Sequence, residues 1–206
     1  MSLPVSASGS ADAGLLPGFT EPVFDAQTVF RAAMRATAYP GRVVPLGREL
    51  TAPVPFNRAT AALCLTLLDL ETPLWADPGA RAPTPRRWLS FHCGVPLVDQ
   101  ERRARFAIST DPATLPRFID FHPGDVEYPD RSTTLIVQVP SLTDGRATSW
   151  TGPGIKGSIA VRIAGLPDWF WPEWELNGEL YPLGIDVFFT CDNALIGLPR
   201  TIRVEA

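Results

Sequence analysis

The chain is poor in the residues from which self-contained active sites are most often built. Its 206 residues include two histidines, three cysteines and, among 18 basic residues, a single lysine, Lys156. No apolar run reaches the ~18 residues that a membrane helix requires. The opening residues, MSLPVSASGSADAG, have neither the basic start nor the apolar stretch of a secretory signal. Formal charge is −4, and no basic stripe is visible along the chain. That argues against nucleic acid as a partner, because such binding depends on phosphate neutralisation. Cys64, Cys93 and Cys191 are odd in number and widely spaced, which suits reduced thiols better than a disulfide framework. These absences lead to the expectation of a soluble, cytoplasmic protein that binds neither membrane nor nucleic acid.

Proline, by contrast, is abundant, with 22 residues spread through the chain beside 16 glycines. Short elements joined by rigid turns are expected rather than long helices. The length suits one domain, which the reading places at 18–206 behind a loose tail over 1–17. The first helix is expected to start at Asp25 as cap. Phe30, Ala33, Met34 and Thr37 recur at helical spacing, and Pro40-Gly41 is its stop. NRATAALCLTLLDLET reads as a second helix, capped by Asn57 and apolar on several faces. TPLWAD, ARFAIST, the near-continuous apolar run TTLIVQVP, SIAVRIAG and IDVFFTCD read as strands. RRWLSFHCG reads as strand or short helix and LPRFIDFHPGD as helix. A turn of helix followed by TIRVE closes the chain. Strands and helices alternate from about residue 72, which predicts an α/β layer arrangement with a mixed sheet covered by helices.

The stretch GPGIKG, residues 152–157, has the spelling of a dinucleotide-binding turn. Such a turn must run from a strand into a helix, so that the helix N-terminus faces pyrophosphate. Here the next segment is strand-like and Pro153 removes an N–H from the cradle, so the stretch reads as a tight turn between strands. Lys156 on that turn is a poor Schiff-base candidate, since such a lysine needs desolvation. His92 and Cys93 are adjacent, which is not metal-ligand spacing, and a Cys93–His122 pair is a distant alternative to two satisfied histidines. Asp186, at the start of a buried strand, needs a partner; Arg131, Arg200 or Arg203 could supply it as a structural ion pair. Trp169, Phe170, Trp171 and Trp174 form the most unusual local composition. A cluster of this kind serves as core or as an interface anchor more often than as a base-stacking platform.

Taken in order, FRAAMRATAYPGR, LTLLDLETPLW, WLSFHCGVPLV, DRSTTLIVQV, WTGPGI, NGELYPLGID and LPRTIRV resemble the PhnH family, the H subunit of the bacterial carbon–phosphorus lyase core complex. The resemblance covers residues 18–204. Cys93 stands where the family suggests threonine, and Tyr39 where it suggests arginine. The resemblance implies a three-layer α/β/α sandwich with a mixed β-sheet, related to pyridoxal-phosphate-dependent transferases but without their cofactor site. It implies a homodimer that joins the G, I and J subunits. With an ATPase-like L subunit, that system supports attachment of a phosphonate to ribose triphosphate from ATP. It implies no cofactor and carries over no catalytic residue; that no metal is expected comes from the spacing of the histidines and cysteines.

Two functional readings follow. In the first, the chain is an accessory subunit acting through protein contacts, with Trp169, Trp171 and Trp174 at or near an interface. In the second, it is a degenerate transferase-like enzyme that binds a nucleotide or phosphonate near Arg131, Lys156 and Arg200, whose cations suit oxyanions.

Overall fold

Pro22 occupies the first turn of helix α1 (Pro22–Ala38), where a fixed φ favours the helix and no N–H is missed. The cap residue is Glu21, not Asp25. Asp25 lies inside the helix and is buried; its Oδ2 accepts from the Glu21 N–H at 3.0 Å, and Arg48 Nε stands 3.1 Å from its Oδ1. The face that packs is Val29, Ala33 and Ala36, whereas Phe30 and Met34 remain 49% and 54% exposed. The cause lies far along the chain. A Cβ placed on Gly197 would sit 2.6 Å from the Ala36 carbonyl oxygen, so helix and strand meet backbone to backbone and only α1's small face fits there.

The computed structural model describes residues 15–206. Most of the tail expected over 1–17 falls outside the described residues; Leu15 and Leu16 pack against the helix-side core. After α1, Gly41 at φ +78° turns the chain into strand β1 (Val44–Pro45). Asn57 caps α2 (Arg58–Leu67) as expected, its side chain accepting from the Thr60 N–H at 2.8 Å, and every residue from Ala59 to Cys64 is buried. Strand β2 (Leu74–Ala76) follows, then α3 (Pro83–His92), so RRWLSFHCG is helical, with Gly94 at φ +63° just past its end. Next comes β3 (Phe106–Ser109).

The helix expected in LPRFIDFHPGD is only a single 3-10 turn, Phe118–Asp120, because Pro116, Pro123 and Gly124 leave too little chain for an α-helix. Strands β4 (Thr134–Gln138), β5 (Ala147–Thr151) and β6 (Ile159–Arg162) precede α4 (Phe170–Glu179), which holds the tryptophan cluster. Strand β7 (Asp186–Cys191) doubles back through Asp192, at φ 48°, and Asn193 into β8 (Ala194–Leu198). The expected turn of helix is therefore a strand: a two-residue hairpin of this kind aligns the next residues with β7. Strand β9 (Arg203–Glu205) ends the fold.

The main sheet runs β1-β8-β7-β4-β3-β2 and a small sheet runs β6-β5-β9. In the main sheet β2, β3, β4 and β7 are parallel, while β8 and β1 add antiparallel steps. Alternation along these strands divides the core in two. Leu74, Ala76, Ile108, Ile136 and Leu195 face α1, α2 and α3. Trp75, Leu135, Val137, Val187, Phe189 and Ile196 face the small sheet and α4. The protein is thus a mixed α/β structure whose central strand β4 is buried on both faces. The third layer departs from the expected α/β/α pattern, being a three-stranded sheet with one helix. Strand β5, which carries the buried Trp150, builds that layer from a segment without strong apolar alternation.

Candidate functional site

Open parallel sheets bind ligands outside their strand C-termini, at the point where the winding order reverses. Here β2, β3, β4 and β7 follow one another across the sheet in a single direction, and the C-terminal ends are stitched shut by polar side chains. The buried Asp77 carboxylate, just past β2, accepts from the N–H groups of Ala80 (2.8 Å), Thr110 (2.6 Å) and Asp111 (3.2 Å) and from the Thr110 hydroxyl. Gln138 at the end of β4 accepts from the Asn57 N–H at 2.6 Å and donates to the Pro55 carbonyl at 3.0 Å. Thr190 on β7 meets Thr60 on α2, hydroxyl to hydroxyl, at 2.8 Å. These groups anchor loops and the N-terminus of α2.

At the opposite end of the strands lies Asp186, the first residue of β7. Of the three arginines considered for it, Arg200 is the partner. The Arg200 guanidinium uses every N–H it has: Nε and Nη2 go to the Asp186 carboxylate, Nη2 also to the Ser132 hydroxyl, and Nη1 to the carbonyls of Pro129 (3.0 Å) and Pro182 (3.3 Å). The Arg200 backbone N–H adds a 2.8 Å bond to Asp186 Oδ1. This is the structural ion pair expected from the buried strand start.

Arg131 ends the adjoining 3-10 turn Pro129–Arg131, and its guanidinium carbon lies 4.0 Å from the centre of the Tyr128 ring. Lys156 is exposed on the loop between the antiparallel β5 and β6. The GPGIKG stretch is therefore the hairpin turn its context indicated. Gly152, Gly154 and Gly157 all take positive φ, and Gly154 packs against the Ala38 carbonyl at the end of α1.

The tryptophans divide by role. Trp174 is buried, and its Nε1–H donates to the Ile202 carbonyl at 2.9 Å. Trp169 stacks edge-on to Phe118, with Arg117 4.9 Å from its ring centre. Trp171 is half-buried, touching Trp150 and Phe170 on one side. On the other side it lines an open cleft of about 1000 Å³ between α4 and the edge strand β9. Glu175, Glu179 and Glu205 stand in that cleft against Arg203 and the fully occupied Arg200. The balance is unfavourable to a free phosphate but suits a mixed-charge protein surface.

The histidines and cysteines do not converge. His92 Nε2 is 3.0 Å from the Leu16 carbonyl, while His122 Nδ1 accepts from the Gly124 N–H at 2.9 Å. Among the described residues no group of His, Cys, Asp and Glu could hold a metal ion. Cys93 Sγ donates to the Cys64 carbonyl at 3.5 Å. Burial pushes the Cys64 thiol well up and Cys93 up to about 12; Cys191 is also raised, by burial first and then by the charge of Asp192. A thiolate nucleophile at neutral pH is thus disfavoured. Alkylation at pH 8 is expected to leave Cys64 and Cys93 intact in the folded protein and to modify both on unfolding. Native-state labelling of Cys93 at the rate of a free thiol would contradict this. Because the folded value is the higher one, the stability tied to the Cys93 proton is complete below pH 9.0 and is lost as pH rises from there towards about 12.

One feature escaped the sequence reading. Arg81, Arg86 and Arg87 line a groove of about 800 Å³ on the outer face of α3. The signal was present as six arginines against two carboxylates over residues 81–105. In one dimension it reads as ordinary solvated surface.

In class, then, this is a mixed α/β protein with an Arg–Asp clamp at one end of its parallel strands and an aromatic, charge-lined cleft beside α4. The family model described as "Bacterial phosphonate metabolism protein (PhnH)" matches residues 17–205, and the chain belongs to that family. It is 41% identical over 187 residues to the alpha-D-ribose 1-methylphosphonate 5-triphosphate synthase subunit PhnH of Rhizobium meliloti (strain 1021), covering 91% of this chain and 94% of the relative. It is 30% identical over 187 residues to HtxG of Stutzerimonas stutzeri, named for a C-P lyase subunit role, covering 87% of this chain and 85% of the relative. Among the described residues no helix is long and apolar enough to cross a membrane.

Proposed function

We propose that the chain is a subunit of the cytoplasmic system that installs an alkyl phosphonate on ribose triphosphate from ATP before the carbon–phosphorus bond is cleaved. It acts there through protein contacts, as a homodimer when alone and beside the G, I and J subunits in the complex. The observation carrying this reading is the 41% identity, across nearly the whole of both chains, with a relative named as a subunit of that synthase. The scaffold is taken to be a relative of the pyridoxal-phosphate-dependent transferases that works without their cofactor. A ligand site built on Arg131, Lys156 and Arg200 is the weaker reading, because Arg200 has no guanidinium N–H left for a ligand.

The cleft beside α4 is the contact surface we assign. Trp171 is its anchor, since a half-buried tryptophan among charged neighbours has the profile of an interface hot spot. Native mass of the chain, alone and co-expressed with the G, I and J subunits, tests the reading. A stoichiometric complex is expected, and a chain that ignores those subunits would refute it. Trp171→Ala is expected to weaken assembly by about thirtyfold or more, the equivalent of about 2 kcal/mol or above for a hot spot. Its unfolding midpoint should move far less than that of Trp174→Ala. Assembly unchanged in Trp171→Ala would place the contact surface elsewhere.

A further inference from the structure

Helix α1 carries a second apolar face that its own fold does not use. The side packed on β8 and α2 is Val29, Ala33 and Ala36. Val23, Gln27, Phe30, Met34 and Thr37 lie on the other side, and all five are exposed. Their spacing of four, three, four and three residues is the rhythm of a seam between two helices. A surface helix needs one apolar stripe towards its own core and a polar face opposite. Helix α1 instead turns Val23, Phe30 and Met34 to solvent, with Phe24, Tyr39 and Val43 exposed beside or just beyond them. The stripe follows most of a helix about 25 Å long.

Charge along the same helix selects what covers that face. Glu21 is exposed at the N-terminal end, and Arg31 and Arg35 are exposed in the C-terminal half. None of these three side chains has an ion-pair partner among the described residues. Asp25, the other acid of α1, is buried beside Arg48. The face is thus apolar along its middle, acidic at one end and basic at the other, which makes it complementary to itself when reversed. In an antiparallel pair centred between Gln27 and Phe30, Val23 comes opposite Met34 of the second copy, and Glu21 reaches the level of Arg35 of the second copy. A parallel pair would set Arg35 beside Arg35 and align the two helix dipoles. A contact in which one position meets another and the reverse also holds is that of a two-fold dimer.

We propose that two copies of this chain pair through antiparallel contact of their α1 helices, with Phe30 and Met34 at the apolar centre and Glu21–Arg35 pairs at the two ends. The assignment rests on the homodimer proposed above and gives it a surface separate from the cleft beside α4. Gln27, the polar residue within the seam, fixes the register. A single helix pair is smaller than the ~800 Å² per partner of a standard interface, so the dimer is expected to dissociate reversibly on dilution.

The test is sedimentation velocity of the full chain over a dilution series, in which the wild type is expected to pass from dimer to monomer. Phe30→Glu with Met34→Glu should raise the dissociation constant about thirtyfold or more, as the loss of hot-spot contacts requires. Circular dichroism should show the fold unchanged, because both side chains are exposed in the protomer. The charge exchange is the sharper arm. Glu21→Arg and Arg35→Glu should each weaken the dimer, and the two together should restore it, which a merely structural effect on α1 would not do. Failure of the double exchange to rescue refutes the antiparallel register. A dimer that persists in the Phe30, Met34 variant, or is lost in Trp171→Ala instead, overturns the α1 face and leaves the homodimer standing. A wild type that is monomeric at every concentration refutes the homodimer reading itself. Variants of α1 that stay dimeric but no longer join the G, I and J subunits would give this face to a sister subunit and overturn the pairing.

Discussion

Arg200→Ala is expected to destabilise the folded chain by about 3 kcal/mol, the lower end of the range for breaking a buried ion pair by removing one partner. The lower end applies because Arg200 is 13% exposed but Asp186 is 32% exposed, so water offsets part of the loss. The effect is nonetheless large for a single residue, because Arg200 serves more than one acceptor. Its guanidinium joins Asp186 on β7, Ser132 and Pro129 before β4, and Pro182 in the loop after α4. Truncation leaves those oxygens without their donors, and desolvated acceptors without partners are costly. Lysine should rescue little, since a point charge with three donors cannot replace a planar fork with five. Urea denaturation of Arg200→Ala, Asp186→Asn and the double variant measures the coupling directly. A loss under about 1 kcal/mol in Arg200→Ala would reclassify the pair as a solvated surface contact. Arg200 would then again be available to a ligand.

The second large effect concerns a glycine chosen for space and not for backbone freedom. A Cβ at Gly197 would lie 2.6 Å from the Ala36 carbonyl oxygen, 2.7 Å from its carbon and 3.1 Å from the Thr37 nitrogen, all backbone atoms of α1. No side-chain rotation relieves that contact, so α1 must move off β8. Overpacking of this kind costs roughly 1–3 kcal/mol. Gly197→Ala should fall at the top of that range, and Gly197→Val beyond it. Gly178 is the control. It is the penultimate residue of α4, with nothing within 4 Å of an added Cβ, so Gly178→Ala should stabilise slightly, by a fraction of the roughly 1 kcal/mol that a glycine costs in a helix interior. Thermal midpoints that move in opposite directions for the same chemical change would establish that the α1–β8 approach is the cause. A Gly197→Ala midpoint equal to wild type would show that α1 can shift freely.

These two residues also mark where sequence reading succeeds and where it stops. Asn57 as a cap, Pro40-Gly41 as the stop of α1 and the apolar run of strand β4 were all readable. Each depends on groups within a turn or a strand of one another. The reading of GPGIKG as a tight turn between strands succeeded for the same reason, since the deciding fact was the strand immediately after it. Asp186 announced the need for a partner by its apolar neighbours. The choice of Arg200 over Arg131 and Arg203 depended on how the β8–β9 link returns to the start of β7.

The buried face of α1 could not be read from its own periodicity, because Phe30 and Met34 are as apolar as a core stripe should be. A glycine on β8 decides the matter by admitting only the alanine face. The groove on α3 is a comparable case, because Arg81 from the loop after β2 and Arg86 and Arg87 from α3 come to line one groove only once those two segments pack together. Local sequence determined caps, turns, strand burial and, through its ordered motifs, the family. Tertiary structure alone decided which faces meet and which charges share a surface. Capping and dihedral preferences act over a few residues, whereas steric fit and electrostatic potential depend on distance in space, and the order of residues along the chain does not encode that distance locally.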